Sequence, residues 1–69
     1  MPEIRVVING RETEIAGGIT LQKLLEDMKI EPRMVACELN EKIVRRKEYA
    51  ETQIQEQDKI EILQMIGGG

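Results

Sequence analysis

Few residues in this chain can do chemistry, and the most pointed of them stand at its end. Gly67, Gly68 and Gly69 follow an apolar run, Ile60-Glu61-Ile62-Leu63-Gln64-Met65-Ile66. Glycines carry no side chain to bury and fix no conformation, so such a tail is expected to be mobile and accessible. Its reactive group is the carboxylate of Gly69. A carboxylate is a poor electrophile until it is converted to an acyl-adenylate, which a separate enzyme must make from ATP. Glycines suit that step because they have no Cβ to clash in a narrow channel. A folded body behind them supplies binding energy remote from the reacting atom. The activated carbonyl then has two fates. Sulfur replaces one oxygen to give a thiocarboxylate, or an amine attacks to give a protein conjugate.

The rest of the inventory excludes more than it offers. The chain has 69 residues, no His and no Ser, and Cys37 is its single cysteine. A Ser or Cys nucleophile would need a base partner. A zinc site would want His and several Cys, and an iron–sulfur cluster about four thiolates. No metal or bound cofactor is expected, and the protein itself is not expected to be an enzyme. One cysteine also rules out an internal disulfide. Thirteen acids against ten bases give a net charge of −3. With Tyr49 the only aromatic, neither a basic face nor a stacking platform for nucleic acid is in view. No leader and no stretch of membrane-spanning length is evident, so a cytoplasmic protein is the expectation.

The elements that must position the tail follow from periodicity. Ile4, Val6 and Ile8 alternate with polar neighbours as in a half-buried strand, apart from Val7 on the open side. Asn9-Gly10 is a strong hairpin signal, and Arg11 to Ile15 is the returning strand with Thr13 and Ile15 inward. After the Ala16-Gly17-Gly18-Ile19 loop, Thr20 is a candidate N-cap. Leu21, Leu24, Leu25 and Met28 then mark one apolar helical stripe. Glu31-Pro32 closes the helix. Arg33 to Leu39 reads as a strand with Val35, Cys37 and Leu39 on one face. Cys37 there reads as a small buried hydrophobe. Asn40-Glu41-Lys42 is a turn, and Ile43-Val44 a short strand. Arg45-Arg46-Lys47 is either a basic patch for an acidic partner or a solvated turn. Tyr49-Ala50 is expected to anchor a helical turn with the tyrosine hydroxyl in water. Ile54 is an apolar anchor, and Glu56-Gln57-Asp58 turns into the last strand.

In that last strand Ile60 and Ile62 point inward. Leu63 and Met65 must then project from the open face, beside Val7 and Val44, as a candidate docking surface next to the tail. The order strand, strand, helix, strand, short strand, strand gives a two-layer α+β domain. First and last strands are then parallel neighbours in mid-sheet. This is a β-grasp, or ubiquitin-like, fold: a mixed sheet of about four to five strands under one helix. The expected boundaries are a domain over residues 1–66 and a flexible glycine tail over 67–69.

At this level the whole chain resembles the ThiS family of sulfur carriers. The matching stretches are Asn9-Gly10, Thr20-Leu21-Gln22-Lys23-Leu24-Leu25, and Val35-Ala36-Cys37-Glu38-Leu39-Asn40 with Ile43-Val44 and Arg46. Asp58-Lys59-Ile60-Glu61-Ile62-Leu63 leading to Ile66-Gly67-Gly68-Gly69 is also similar. The resemblance implies that an E1-like adenylyltransferase (ThiF type) adenylates Gly69 with ATP. A sulfur donor then gives the thiocarboxylate, and a thiazole synthase (ThiG type) takes the sulfur to form the thiazole of thiamin. Gly68 and Gly69 match the family's terminal pair, with Gly67, Ile66, Met65 and Leu63 as tail and partner surface. Arg45 and Gln57 depart from the family's pattern, where Pro and Gly are frequent. A ubiquitin-like protein modifier, or a sulfur carrier for molybdopterin or tRNA thiolation, is the alternative.

Overall fold

The computed structural model describes residues 2–65. The tail over 67–69 and Ile66 lie outside the described residues, as does the boundary drawn between 66 and 67.

Five strands form one mixed sheet in the order β2-β1-β5-β3-β4. Strands β1 (Glu3–Ile8) and β2 (Arg11–Ala16) make the hairpin. At its turn Asn9 and Gly10 have φ of 50° and 83°, the left-handed pair that a type I′ turn requires. A second such turn, Asn40 and Glu41 at φ 53° and 72°, joins β3 (Val35–Leu39) to β4 (Lys42–Val44). Strand β5 (Lys59–Gln64) fills the centre, parallel to β1 and antiparallel to β3. This is the expected β-grasp, with the first and last strands side by side.

One face of the sheet is covered by helix α1 (Leu21–Asp27). Thr20 caps it by accepting from the Lys23 N–H at 3.1 Å. Leu21, Leu24 and Leu25 of the predicted stripe are buried, but Met28 lies past the last helical turn and is largely exposed. The core adds Val6, Ile8, Val35, Cys37, Tyr49, Ile54, Ile60 and Ile62. The helix entry is stitched to the segment before β5: the Leu21 N–H donates to the Thr52 carbonyl at 2.8 Å, and the Ile54 N–H to the Ile19 carbonyl at 2.9 Å. Those bonds seat Tyr49 and Ile54 beneath the helix. Gly17 is held closely, for a Cβ there would lie 2.6 Å from the Pro2 carbonyl oxygen.

Three expectations need correction. Arg33 and Met34 are not strand: Pro32–Met34 is a single 3₁₀ turn, capped by the Glu31 carboxylate, and β3 begins only at Val35. Proline at the first position favours such a turn because its fixed φ is already helical. Tyr49 does not keep its hydroxyl wet. It sits in the 3₁₀ segment Arg46–Glu51, is 2% exposed, and its hydroxyl is hydrogen-bonded to Cys37. Val44 belongs to the covered face, since it pairs with Cys37 and packs on the core. Ile43 takes the open side instead, at 76% exposure.

Candidate functional site

The site is built around the end of β5, the strand that runs into the glycines. Its pleat sends Ile60 and Ile62 under the helix and Lys59, Glu61 and Leu63 to the open face. Strand β3 pairs along it with Ala36 opposite Leu63 and Glu38 opposite Glu61. One step further the Met65 N–H donates to the Met34 carbonyl at 2.9 Å. The ladder therefore brings together Leu63, Met65, Met34 and Ala36. Leu63 is 52% exposed, Met65 48% and Met34 52%. Ile43 extends the patch across β3, where it faces Glu38. These residues form one apolar surface at the strand end from which the chain continues to the glycines. Glu38 and Glu61 border it as neighbouring carboxylates.

Of the predicted site residues, Leu63 and Met65 are brought together on the open face, as the alternation required. Ile66, Gly67, Gly68 and Gly69 lie outside the described residues. Val7, expected in the same patch, is not part of it. It pairs with Lys59, four residues back along β5, or roughly 13 Å at the rise of a strand. Met34 and Ile43 take its place. Sequence parity puts Met34 on the same face as Ala36 and Glu38, which is the signal that leads to it.

Strand β1 stops short of this end of β5, and its last pair is Ile8 with Ile60. The side chain of Asn9 continues the ladder in its place. Its Oδ1 accepts from the Ile62 N–H at 2.7 Å, and its Nδ2 donates to the Ile62 carbonyl at 3.3 Å. A turn residue thus acts as a further strand partner for β5. Beyond Ile62, β5 is paired through β3 alone among the described residues. Below, Asn40 and Asp58 fix the strand's start: Asn40 Oδ1 accepts from the Lys59 N–H at 3.0 Å, and Asn40 Nδ2 donates to Asp58 at 3.0 Å.

Inside the described part of the domain, Cys37 and Tyr49 form a buried pair of ionisable groups. Burial pushes the thiol pKa up, partly offset by the hydrogen bond from Tyr49. Burial, then the contact with Cys37, pushes the Tyr49 hydroxyl up to about 12. Both are protonated at neutral pH, and both are shut away from solvent, so the pair is structural. Arg45, Arg46 and Lys47 are exposed at the start of the second 3₁₀ segment, with the Glu48 carboxylate accepting from the Arg45 N–H at 3.4 Å. No group of three or more potential metal ligands occurs among the described residues. No described helix is long and apolar enough to cross a membrane.

The family model described as "ThiS family" matches residues 6–69 of the chain. The sulfur carrier protein ThiS of Escherichia coli is 30% identical over 66 residues, 96% of this chain and 100% of that one. A thiazole synthase of Paramagnetospirillum magneticum is 38% identical over the same length, where this chain spans only 20% of that protein. A crystal structure of a thiamine biosynthesis protein (ThiS) from Geobacter metallireducens superposes with a TM-score of 0.84 at 26% identity, covering 96% of this chain and 100% of that one. A match through the β-grasp core and on to the last glycine, with agreement in both sequence and fold, places the chain in the ThiS family.

Proposed function

We propose that this protein is a sulfur carrier of thiamin biosynthesis, a co-substrate handed between enzymes. A carboxylate oxygen of Gly69 attacks the α-phosphorus of ATP in an E1-like, ThiF-type adenylyltransferase, and pyrophosphate leaves. Hydrosulfide released by the donor then adds to the acyl carbon, AMP leaves with the bonding pair and the thiol proton is lost, so the carbonyl is left as a thiocarboxylate. The thiocarboxylate donates that sulfur to a ThiG-type thiazole synthase. ATP binds to the partner, and the chain supplies the carboxylate and the surface that positions it.

The observation that carries this reading is the apolar patch of Leu63, Met65, Met34 and Ala36 at the end of the strand that leads into the glycines. Docking there places the tail root at a fixed point on the partner, so the last glycines need only reach the active site. The likeness to part of a thiazole synthase supports that enzyme as the acceptor, since a similar unit is present there within one polypeptide.

The test is intact mass after incubation with a ThiF-type enzyme, ATP and a sulfur source. The expected product has one oxygen replaced by sulfur at the C-terminus, and removal of Gly69 abolishes it while the fold survives. An unchanged mass, under conditions that thiolate another ThiS protein, would overturn the proposal. Adducts to lysines of other proteins would favour a modifier.

A further inference from the structure

Strand β2 lies at the sheet edge, separated from β5 by β1, and no described strand pairs with its outer side. Its hydrogen-bonding parity is fixed by one bond: the Gly17 N–H donates to the Pro2 carbonyl at 2.9 Å. In an antiparallel pair the bonded positions alternate, so Ile15, Thr13 and Arg11 also turn their backbone groups toward β1. Those of Glu12, Glu14 and Ala16 point away from the sheet, and no backbone bond from elsewhere in the described residues reaches them. Beside this edge, on the helix side, runs a groove of about 570 Å³. Ile15, Ile19, Leu24 and Met28 line it, together with the charged residues Arg11, Glu14 and Asp27. On the opposite side of the strand stand the carboxylates of Glu12 and Glu14, both exposed, with Arg5 as their only cationic neighbour in ion-pair range among the described residues.

We propose that the β2 edge and the groove beside α1 form a second protein-binding site, which takes an extended partner segment of alternating apolar and basic residues. A strand added here would bond to the backbone of Glu12, Glu14 and Ala16. Every second side chain would enter the groove over Ile15, Ile19 and Met28. The others would lie along Glu12 and Glu14, where lysine or arginine is the complement. The same carboxylates disfavour a second copy of this chain as occupant. An antiparallel β2–β2 pairing centred on Glu14 sets that carboxylate against its own copy, and pairing Glu12 with Glu14 does so twice. Edge charges of this kind block self-pairing and leave a partner of opposite charge admissible. The site is separate from the tail and does not rest on the proposed sulfur chemistry.

The test titrates the full-length, isotope-labelled chain with a synthetic peptide alternating valine and lysine, and with its valine–glutamate counterpart. The lysine peptide is expected to shift and protect the amides of Glu12, Glu14 and Ala16 and to move the methyls of Ile15, Ile19 and Met28. Its Kd should be at least about tenfold below that of the glutamate peptide. In the E12K/E14K double variant the preference should reverse. Both substituted side chains are exposed, so the fold is retained and the unchanged amide spectrum of the core checks it. Equal affinity for both peptides, shifts confined to Leu63 and Met65, or an unchanged preference in the double variant would overturn the proposal. Concentration-dependent shifts of the β2 amides without peptide would do so too, in favour of self-pairing.

Discussion

The two faces of β5 carry similar residues to opposite ends. Ile60 and Ile62 are buried under the helix, whereas Leu63 and Met65 keep about half their surface in water, at 52% and 48% exposure. The divide falls between adjacent residues, Ile62 at 9% and Leu63 at 52%. Burying a large aliphatic side chain contributes roughly 1.5–3 kcal/mol. On the covered face that free energy is used in folding. On the open face about half of it is still available for association. The pleat thus divides one strand into a part that holds the domain together and a part that meets a partner, and each can be altered without the other.

The sharpest way to break that division is Ile60→Ala. Ile60 is fully buried in mid-sheet, so the expected loss is about 2–5 kcal/mol, a transfer term plus the cavity left behind. Urea unfolding should show a lower midpoint at an unchanged slope. Binding of the folded variant to a ThiF-type partner should be unaltered; if affinity falls as far as stability, the two faces are not independent.

Next in size is the buried Tyr49. Its hydroxyl is raised to about 12 by burial and by Cys37, against about 10 in an unfolded chain. The folded state holds the proton more tightly, so the unfolded state ionises first as pH rises. The stability due to the neutral hydroxyl is fully present below pH 10 and is lost between about 10 and 12, by roughly 2–3 kcal/mol. Tyr49 is the only aromatic residue, so phenolate absorbance reads it directly. A native midpoint near 10 would contradict its burial, and Tyr49→Phe should remove that part of the alkaline loss.

Most of the architecture was legible because it rests on local rules. The hairpin came from Asn9-Gly10, the helix from the leucine spacing, and the open-face position of Leu63 and Met65 from strand parity. What escaped depends on contacts distant in sequence. Tyr49 was placed at the water's edge because nothing near it in the chain reveals that Cys37, twelve residues earlier, lies beside its hydroxyl. Val44 lies on the covered face and not the open one because a three-residue strand carries too little alternation to set its register, which the pairing of Cys37 with Val44 decides. Gln57 looked like a simple departure from a frequent glycine. It sits at φ 70°, the left-handed conformation that glycine adopts without strain. The glycines themselves were legible as chemistry only through their type and place in the sequence.

Asn9 joins both kinds of information, and it is the next test. Its type gives the turn, while its amide completes the ladder at Ile62. Asn9→Gly keeps the positive φ and removes only the side-chain bonds. A loss of about 1–3 kcal/mol is expected, with faster amide exchange at Ile62 than at Val6. A loss no larger than a surface substitution gives would mean that the turn alone is what Asn9 supplies.

The smallest effect on stability belongs to the residues that matter most to the proposed docking. Leu63→Thr with Met65→Thr keeps strand-favouring side chains and removes apolar surface that folding does not cover. Stability is expected to change by no more than about 0.5 kcal/mol. Association should respond quite differently. Leu63 and Met65 each have about half a side chain left to bury, so losing both should weaken binding to a ThiF-type enzyme by tenfold or more, since about 1.4 kcal/mol suffices for each factor of ten. Slower thiolation at low carrier concentration, restored as concentration rises, would place the defect in docking. A defect that persists at saturation would instead place these residues in the positioning of the tail. A double variant that unfolds would show that the open face helps hold the domain together, and the division between the faces of β5 would fall.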